Sequence, residues 1–341
     1  MYKHFIWIFL FAISVGCKKT PTDPVVNFPV HVAYVVSGGS RTVEVIDLDS
    51  MKVYNSFSIS SNAERFPHHI YLSKDKKMLA VANPAYDFSL GHSGLHGKQI
   101  PGGVIVLDAV TGKVLKDFEV PFANHNALFS CDGSEIWTTG LSHSGRAYIY
   151  DFNSTSLVKE IILDADPSEI IFSKNGTYAA VASGESTFLQ VIDQNKKEIE
   201  KKIKVDLSPS NVWEGYGNIV LVSNSLKKSV NFVDLSTFQV TDFIDFDFVP
   251  GFLTYNELTQ ELWVCNGDEG KLRVFKQQPE WTEINSFDFN GKDPHMVRFY
   301  DSDSKALLVN QKSNTAVFID VLEKQIIKEI IVGIKPNGID L

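Results

Sequence analysis

Nine histidines are spread along the 341 residues, and two are adjacent: His68 and His69 in "RFPHHIYLS", residues 65–73. Neutral imidazole is the commonest protein ligand for a metal ion and suits zinc, copper, iron and nickel. A single ring does little. A site needs three or four ring nitrogens at about 2.0–2.1 Å from a zinc-like ion. The chemistry therefore depends on whether the fold gathers His68 and His69 with His92, His96, His125, His143 and His295. No serine elbow, P-loop, dinucleotide fingerprint or zinc-protease helix occurs in the sequence, so the histidines are its strongest chemical signal.

The elements that must position them form a repeat. Strand-like segments end in aspartate: "VEVID" at Asp47, "VIVLD" at Asp108, "YIYD" at Asp151, "LQVID" at Asp193, "VNFVD" at Asp234 and "VFID" at Asp320. Lys276 takes that place in "LRVFK". The steps are 61, 43, 42 and 41 residues, then 86, which is two repeats of 43. Upstream of most of these strands stands an opening residue: Pro67, Asn124, Pro167, Pro209, Pro250, Pro294 or Pro336. The repeat from 167 reads as "SEIIFS", "YAAVAS", "FLQVID" and "EIEKKIKV", four β-rich segments separated by "KNG", "GES" and "QNKK". A period near 40–45 with four strands predicts propeller blades.

Complete repeats open at 67, 124, 167, 209, 250 and 294. The mature N-terminus supplies "HVAYVVS", "RTVEVID" and "KVYNSFSI", and the C-terminus a lone "KPNGIDL". Together they make a seventh blade. The predicted fold is thus an all-β, seven-bladed propeller over residues 31–341, closed by pairing the last strand with the first ones. Closure removes sheet edges that would invite aggregation. "YVVSGGSRTVEVIDLDSMKV", residues 34–53, resembles the repeat of the YVTN family of seven-bladed propellers. That resemblance implies the fold and leaves the activity open, because one fold serves many chemistries.

In such a propeller the first strand of each repeat is innermost and starts on the face formed by the loops between blades; we call that face the top. His68, His69, His125 and His295 then open inner strands. His92 and His96 fall in "PAYDFSLGHSGLHGKQIPGG", residues 84–103, an insertion in a top loop, and His143 in the matching loop of the next repeat. All seven are expected at the rim of the central channel, on one face. The adjacent pair His68-His69 is similar in type and place to a histidine pair in the copper-binding propeller of the nitrous oxide reductase family. That likeness implies a channel-mouth metal and not that family's activity, since this chain has too few blade-start histidines. The same histidines also suit a metal-free ligand or partner surface.

Other signals are plainer. Asp164, Asp166, Glu64 and Arg65 sit before inner strands and read as a solvated rim. Lactone hydrolysis on this fold would call for an acidic calcium constellation, which the sequence does not show. The blade-end aspartates fit turns, whose amides they satisfy. Cys131 falls in a bottom turn, and Cys265 inside a strand as a buried thiol. The formal net charge of −9 argues against nucleic acid as a partner.

The first residues are a targeting segment. "MYKHFIWIFLFAISVGCKK" carries Lys3, then an apolar run from Phe5 to Ile13, too short for the roughly 20 residues of a membrane span. Residues 1–16 read as a signal peptide, Cys17 as a lipidated first residue, and 17–30 as a proline-rich tether. The expectation is a bacterial envelope protein, periplasmic or on the outer membrane, held by its lipid. Its leading expected role is binding or scaffolding through the top face, without turnover. The alternative is a copper- or zinc-binding redox accessory protein or metalloenzyme.

Overall fold

The strands separate by burial as their sequences dictate. In the repeat from 167, Tyr178–Ser183 and Phe188–Asp193 are buried along almost their whole length, whereas Glu198–Lys204 buries only Ile203 fully. The two middle strands are covered on both faces by neighbouring sheets, so they are apolar throughout; the outer strand meets water and carries lysine and glutamate. The computed structural model describes residues 29–95, 98–290 and 292–341. The expected signal segment, Cys17 and most of the expected tether lie outside the described residues, as does His96. The body of the chain is His31–Leu341.

Among the described residues there are seven sheets of four antiparallel strands, the expected seven-bladed propeller. Blade 1 combines Val32–Ser37, Thr42–Asp47 and Lys52–Ser58 with the chain-end strand Pro336–Asp340. Blades 2 to 7 follow in chain order, with inner strands Ile70–Leu72, Ala127–Phe129, Pro167–Phe172, Pro209–Glu214, Leu253–Asn256 and Pro294–Tyr300. Each inner strand touches the next around the channel, and Pro336–Asp340 completes the circle between blades 7 and 2.

The seam is built from the last residues. Tyr34, Val35, Val36 and Ser37 pair with Asp340, Ile339, Gly338 and Pro336. Ile339 is fully buried in the largest hydrophobic cluster. Gly338 allows the close approach, since a Cβ would meet His69 Cα and Ile70 N, each at 3.1 Å. Asp340 Oδ2 accepts from Leu72 N at 2.6 Å, and Asn337 Nδ2 donates to the Pro67 carbonyl at 3.0 Å. Both ends of blade 2's inner strand are thereby tied to the C-terminus.

The recurrent aspartates cap the outer turns as expected. Asp108 Oδ1 accepts from Thr111 N at 2.8 Å, Asp193 Oδ1 from Lys196 N at 2.8 Å and Asp320 Oδ1 from Glu323 N at 2.9 Å. Four residues after each capping aspartate the chain turns left-handed, at Met51, Gly112, Thr155, Lys197, Phe238 and Lys324. Only one of these six is glycine, so the turn tolerates L-residues at a modest cost per site.

Candidate functional site

Inner strands begin irregularly, and the irregularity aims side chains into the channel. The pairing slips between Pro167 and Ile170, between Pro209 and Asn211, and between Pro294 and Met296. Such bulges re-aim a side chain without ending the sheet. They fall at Ser168-Glu169, Ser210 and His295. In blade 2, His68 N donates to Ala82 O and Ala82 N to His69 O before the regular ladder starts at Ile70. His69 N reaches across to the carbonyl of His125 in blade 3, at 3.2 Å.

Four imidazoles converge. The ring centroids of His68 and His69 are 4.2 Å apart, and that of His68 lies 4.8 Å from His125 and 5.9 Å from His295. One ligand atom from each of His68, His69 and His295 lies within 4.8 Å of the others. In a tetrahedral site with bonds of about 2.0–2.1 Å, neighbouring nitrogens stand roughly 3.3 Å apart. Side-chain rotations that draw these atoms together by about 1.5 Å or less would close the shell on an ion. Neutral nitrogens, the absence of thiolate and the small number of ligands fit zinc or copper better than calcium or magnesium.

The histidines are more enclosed than a rim position implies. His68 and His69 are each 3 % exposed and His125 is 5 % exposed. The reason is the 84–103 insertion, which folds down over the channel. Phe88 sits with its ring 4.1 Å from His125 and 5.0 Å from His68. It packs with Leu95, Ala123 and Leu141 in a small cluster of its own. Asp87 caps the short turn Phe88–Leu90 and takes an ion pair from Lys335 at 2.5 Å. The insertion is thus anchored by apolar contacts and a salt bridge, despite its five glycines.

Beneath the rings lies Glu169, fully buried on the inner strand of blade 4. Its Oε1 is 3.2 Å from His125 Nδ1, in hydrogen-bond alignment. The same oxygen is 2.8 Å from His69 Nδ1, close but out of hydrogen-bond line. A carboxylate facing Nδ1 fixes the proton there and leaves Nε2 as the ligand atom. Burial pushes Glu169 above the ordinary carboxyl range, opposed by its bond to His125. Burial holds His69 well below the usual histidine value, and the charges of His295 and Arg298 push the same way. Burial also lowers His295, against the pull of Asp293. These rings are therefore neutral near pH 7, the form that offers a lone pair. A bound cation would favour the ionised form of Glu169.

The rings open into a cavity of about 290 Å³, walled also by Asn211, Trp213, Phe252, Asp268 and Lys312. Asn211 Oδ1 and Trp213 Nε1 are buried without a hydrogen-bond partner among the described residues.

The other expected residues lie elsewhere. His143 is exposed, with Nδ1 2.9 Å from Glu185 Oε1, outside the cluster. His92 opens the turn His92–Leu95 in the insertion. Asp164 takes Lys202 at 2.6 Å and Ser186 at 2.7 Å, whereas Arg65 is more enclosed than a solvated rim implies: it pairs with Glu119 and donates to the carbonyls of Asn83 and Gly102. Cys265 is buried, and burial raises its thiol well above the usual range. Sequence reasoning passed over Glu169, Phe88 and Trp213. A lone carboxylate inside the otherwise apolar "SEIIF" was the available signal for Glu169. Nothing local marked Phe88.

No protein-family model matches the chain, and no curated protein does. Solved structures match its fold. A putative 6-phosphogluconolactonase from Bacteroides fragilis aligns over 95 % of this chain and 99 % of its own, with TM-score 0.71 and 13 % identity. The periplasmic gluconolactonase of Pseudomonas aeruginosa aligns over 91 % and 98 %, with TM-score 0.69 and 15 % identity. Hydrazine synthase of Kuenenia stuttgartiensis covers 80 % of this chain and 88 % of that one, with TM-score 0.64 and 17 % identity. At such identities the likeness concerns the fold alone, and it establishes the propeller class.

Proposed function

We propose that this chain is an exported, lipid-anchored binding protein of the bacterial cell envelope, built on YVTN-type repeats. Its ligand is a transition-metal ion, copper or zinc, held at the channel mouth by His68, His69 and His295, with His125 beside them. One observation carries this reading: three imidazole nitrogens from blades 2 and 7 lie within 4.8 Å of one another. The neighbouring Glu169 supports it, since a buried carboxylate facing ligand imidazoles is the usual outer partner of a metal-bound histidine. The ion would supply Lewis acidity or, for copper, a redox centre. The chain's own residues orient the rings and keep them neutral, while Phe88 shields them from water. The N-terminal sequence motif supports export and attachment through Cys17.

The test is elemental analysis of protein purified without an affinity tag. One metal equivalent per chain is expected. A His68/His69/His125 triple alanine variant that folds should lose it. Folded wild-type protein that takes up no copper or zinc, and whose stability ignores chelators, removes the metal reading. A Cys17→Ser variant should leave the membrane fraction; if it stays there, the lipid anchor falls.

A further inference from the structure

The channel has a second mouth, at the opposite ends of the inner strands. A cavity of about 330 Å³ opens there, walled by residues of blades 2, 3, 4, 5 and 7 and by the chain-end strand. Its walls are apolar and aromatic: Tyr71, Phe129, Phe172 and Trp213. Set among them are Arg298, Asp340 and Glu214, and Lys74 and Lys174 also line the cavity.

The charges are unusual in their partners. Arg298 donates through Nε to the Ile339 carbonyl at 3.3 Å, and its guanidinium stacks 5.3 Å from the Phe252 ring. Its terminal nitrogens form no ion pair within 4.0 Å among the described residues, although Asp340 and Glu214 both act on its charge. Asp340 Oδ2 accepts from Leu72 N at 2.6 Å. Neither carboxylate has a cation of its own among the described residues. Arg298 and the two carboxylates thus share one cavity without closing on each other, while Lys174 turns to Glu257.

A small dipolar molecule satisfies this arrangement. A carboxylate would take the planar fork of Arg298, which suits two parallel hydrogen bonds. An ammonium group would sit toward Glu214 and Asp340. An apolar side group would lie against Tyr71, Phe129, Phe172 and Trp213. The volume is in the range of ordinary ligand pockets. We infer that this lower mouth binds a small zwitterion bearing an aromatic or branched apolar group, the chemical class of the α-amino acids. None of the histidines lines this cavity, although Trp213 is a wall of both.

The probes are L-phenylalanine, 3-phenylpropionate (the same skeleton without the ammonium) and 2-phenylethylamine (without the carboxylate). Calorimetric titration of the full chain should show saturable binding of L-phenylalanine. Each single-charge probe should bind roughly tenfold or more weakly, as expected for loss of a charge-assisted contact. Arg298→Met keeps a long apolar stem against Phe252 and should lose a similar factor for L-phenylalanine and little for 2-phenylethylamine. Glu214→Gln lies at an exposed position, so it tests the cationic end even if Arg298→Met does not fold. His68→Ala should leave L-phenylalanine affinity unchanged. No saturable binding to folded wild-type protein, equal binding of the three probes, or unchanged affinity in Glu214→Gln would each overturn the inference.

Discussion

Replacing Glu169 by glutamine separates a positioning carboxylate from a merely buried one. The two side chains are nearly the same size, and Glu169 is fully enclosed, so the packing of blade 4 should survive. What changes is the acceptor facing His125 Nδ1 at 3.2 Å and His69 Nδ1 at 2.8 Å. The carboxylate oxygen accepts from His125, lies close to His69 Nδ1, and offsets the charge of an ion bound at the far nitrogens. An amide oxygen carries no charge, and an amide nitrogen turned toward the rings would force the wrong tautomer. Loss of such an outer partner costs about 10–100-fold in metal affinity, or roughly 1.4–2.7 kcal/mol. The assay is competition for zinc or copper(I) against a chromophoric chelator, with near-UV circular dichroism to verify the fold. An affinity within about twofold of wild type, in a folded variant, would refute the positioning role of Glu169.

Three other outcomes follow from the geometry. Ile339→Ala in the ring seam should lower the unfolding free energy by about 2–5 kcal/mol in urea titrations; removing residues 336–341 should abolish the cooperative transition, and a normal transition in that truncation would contradict ring closure. Asp132 accepts from Ser130 Oγ, Ser134 N and Ser134 Oγ, which hold its pKa at about 2. Its folded pKa lies below the unfolded value, so its contribution is present above pH ~4 and fades as pH falls toward 2; Asp132→Asn should be less stable than wild type at neutral pH, with the gap closing over that window in pH-dependent melts. Phe88→Ala should speed extraction of the metal by a chelator, read by stopped flow, with little change in melting temperature, because Phe88 belongs to the small cluster under the insertion and not to the blade cores.

The fold was legible because a propeller repeats its errors and its rules alike. Six capping aspartates and seven strand-opening residues kept their spacing even where the middle repeats drift. The seam was legible for the same reason, since three N-terminal strands lacked an inner partner and "KPNGIDL" lacked everything else. The face of the histidines also followed from register. Their depth did not. His295 stands in blade 7, two blades from His68, and the sequence allowed it to approach only across the channel. The structure brings those rings to 5.9 Å because the bulge at the start of that strand turns His295 inward. His143 sits at the same register as a loop residue, yet its partner is Glu185, outside the cluster. Glu169 was hidden by its setting in an ordinary inner strand, and its role depends on contacts with blades 2 and 3. The lower cavity could not be read at all, because its charges come from segments 40 or more residues apart.

The central claim is that widely spaced imidazoles form one ligand shell at the upper mouth. X-ray absorption at the metal edge, on protein loaded with one equivalent of zinc, addresses it directly. The prediction is at least three nitrogen ligands at about 2.0–2.1 Å with the outer-shell scattering of imidazole rings, reduced by one ring in His295→Ala. A shell of oxygen ligands without imidazole scattering, or a spectrum unmoved by His295→Ala, would contradict it.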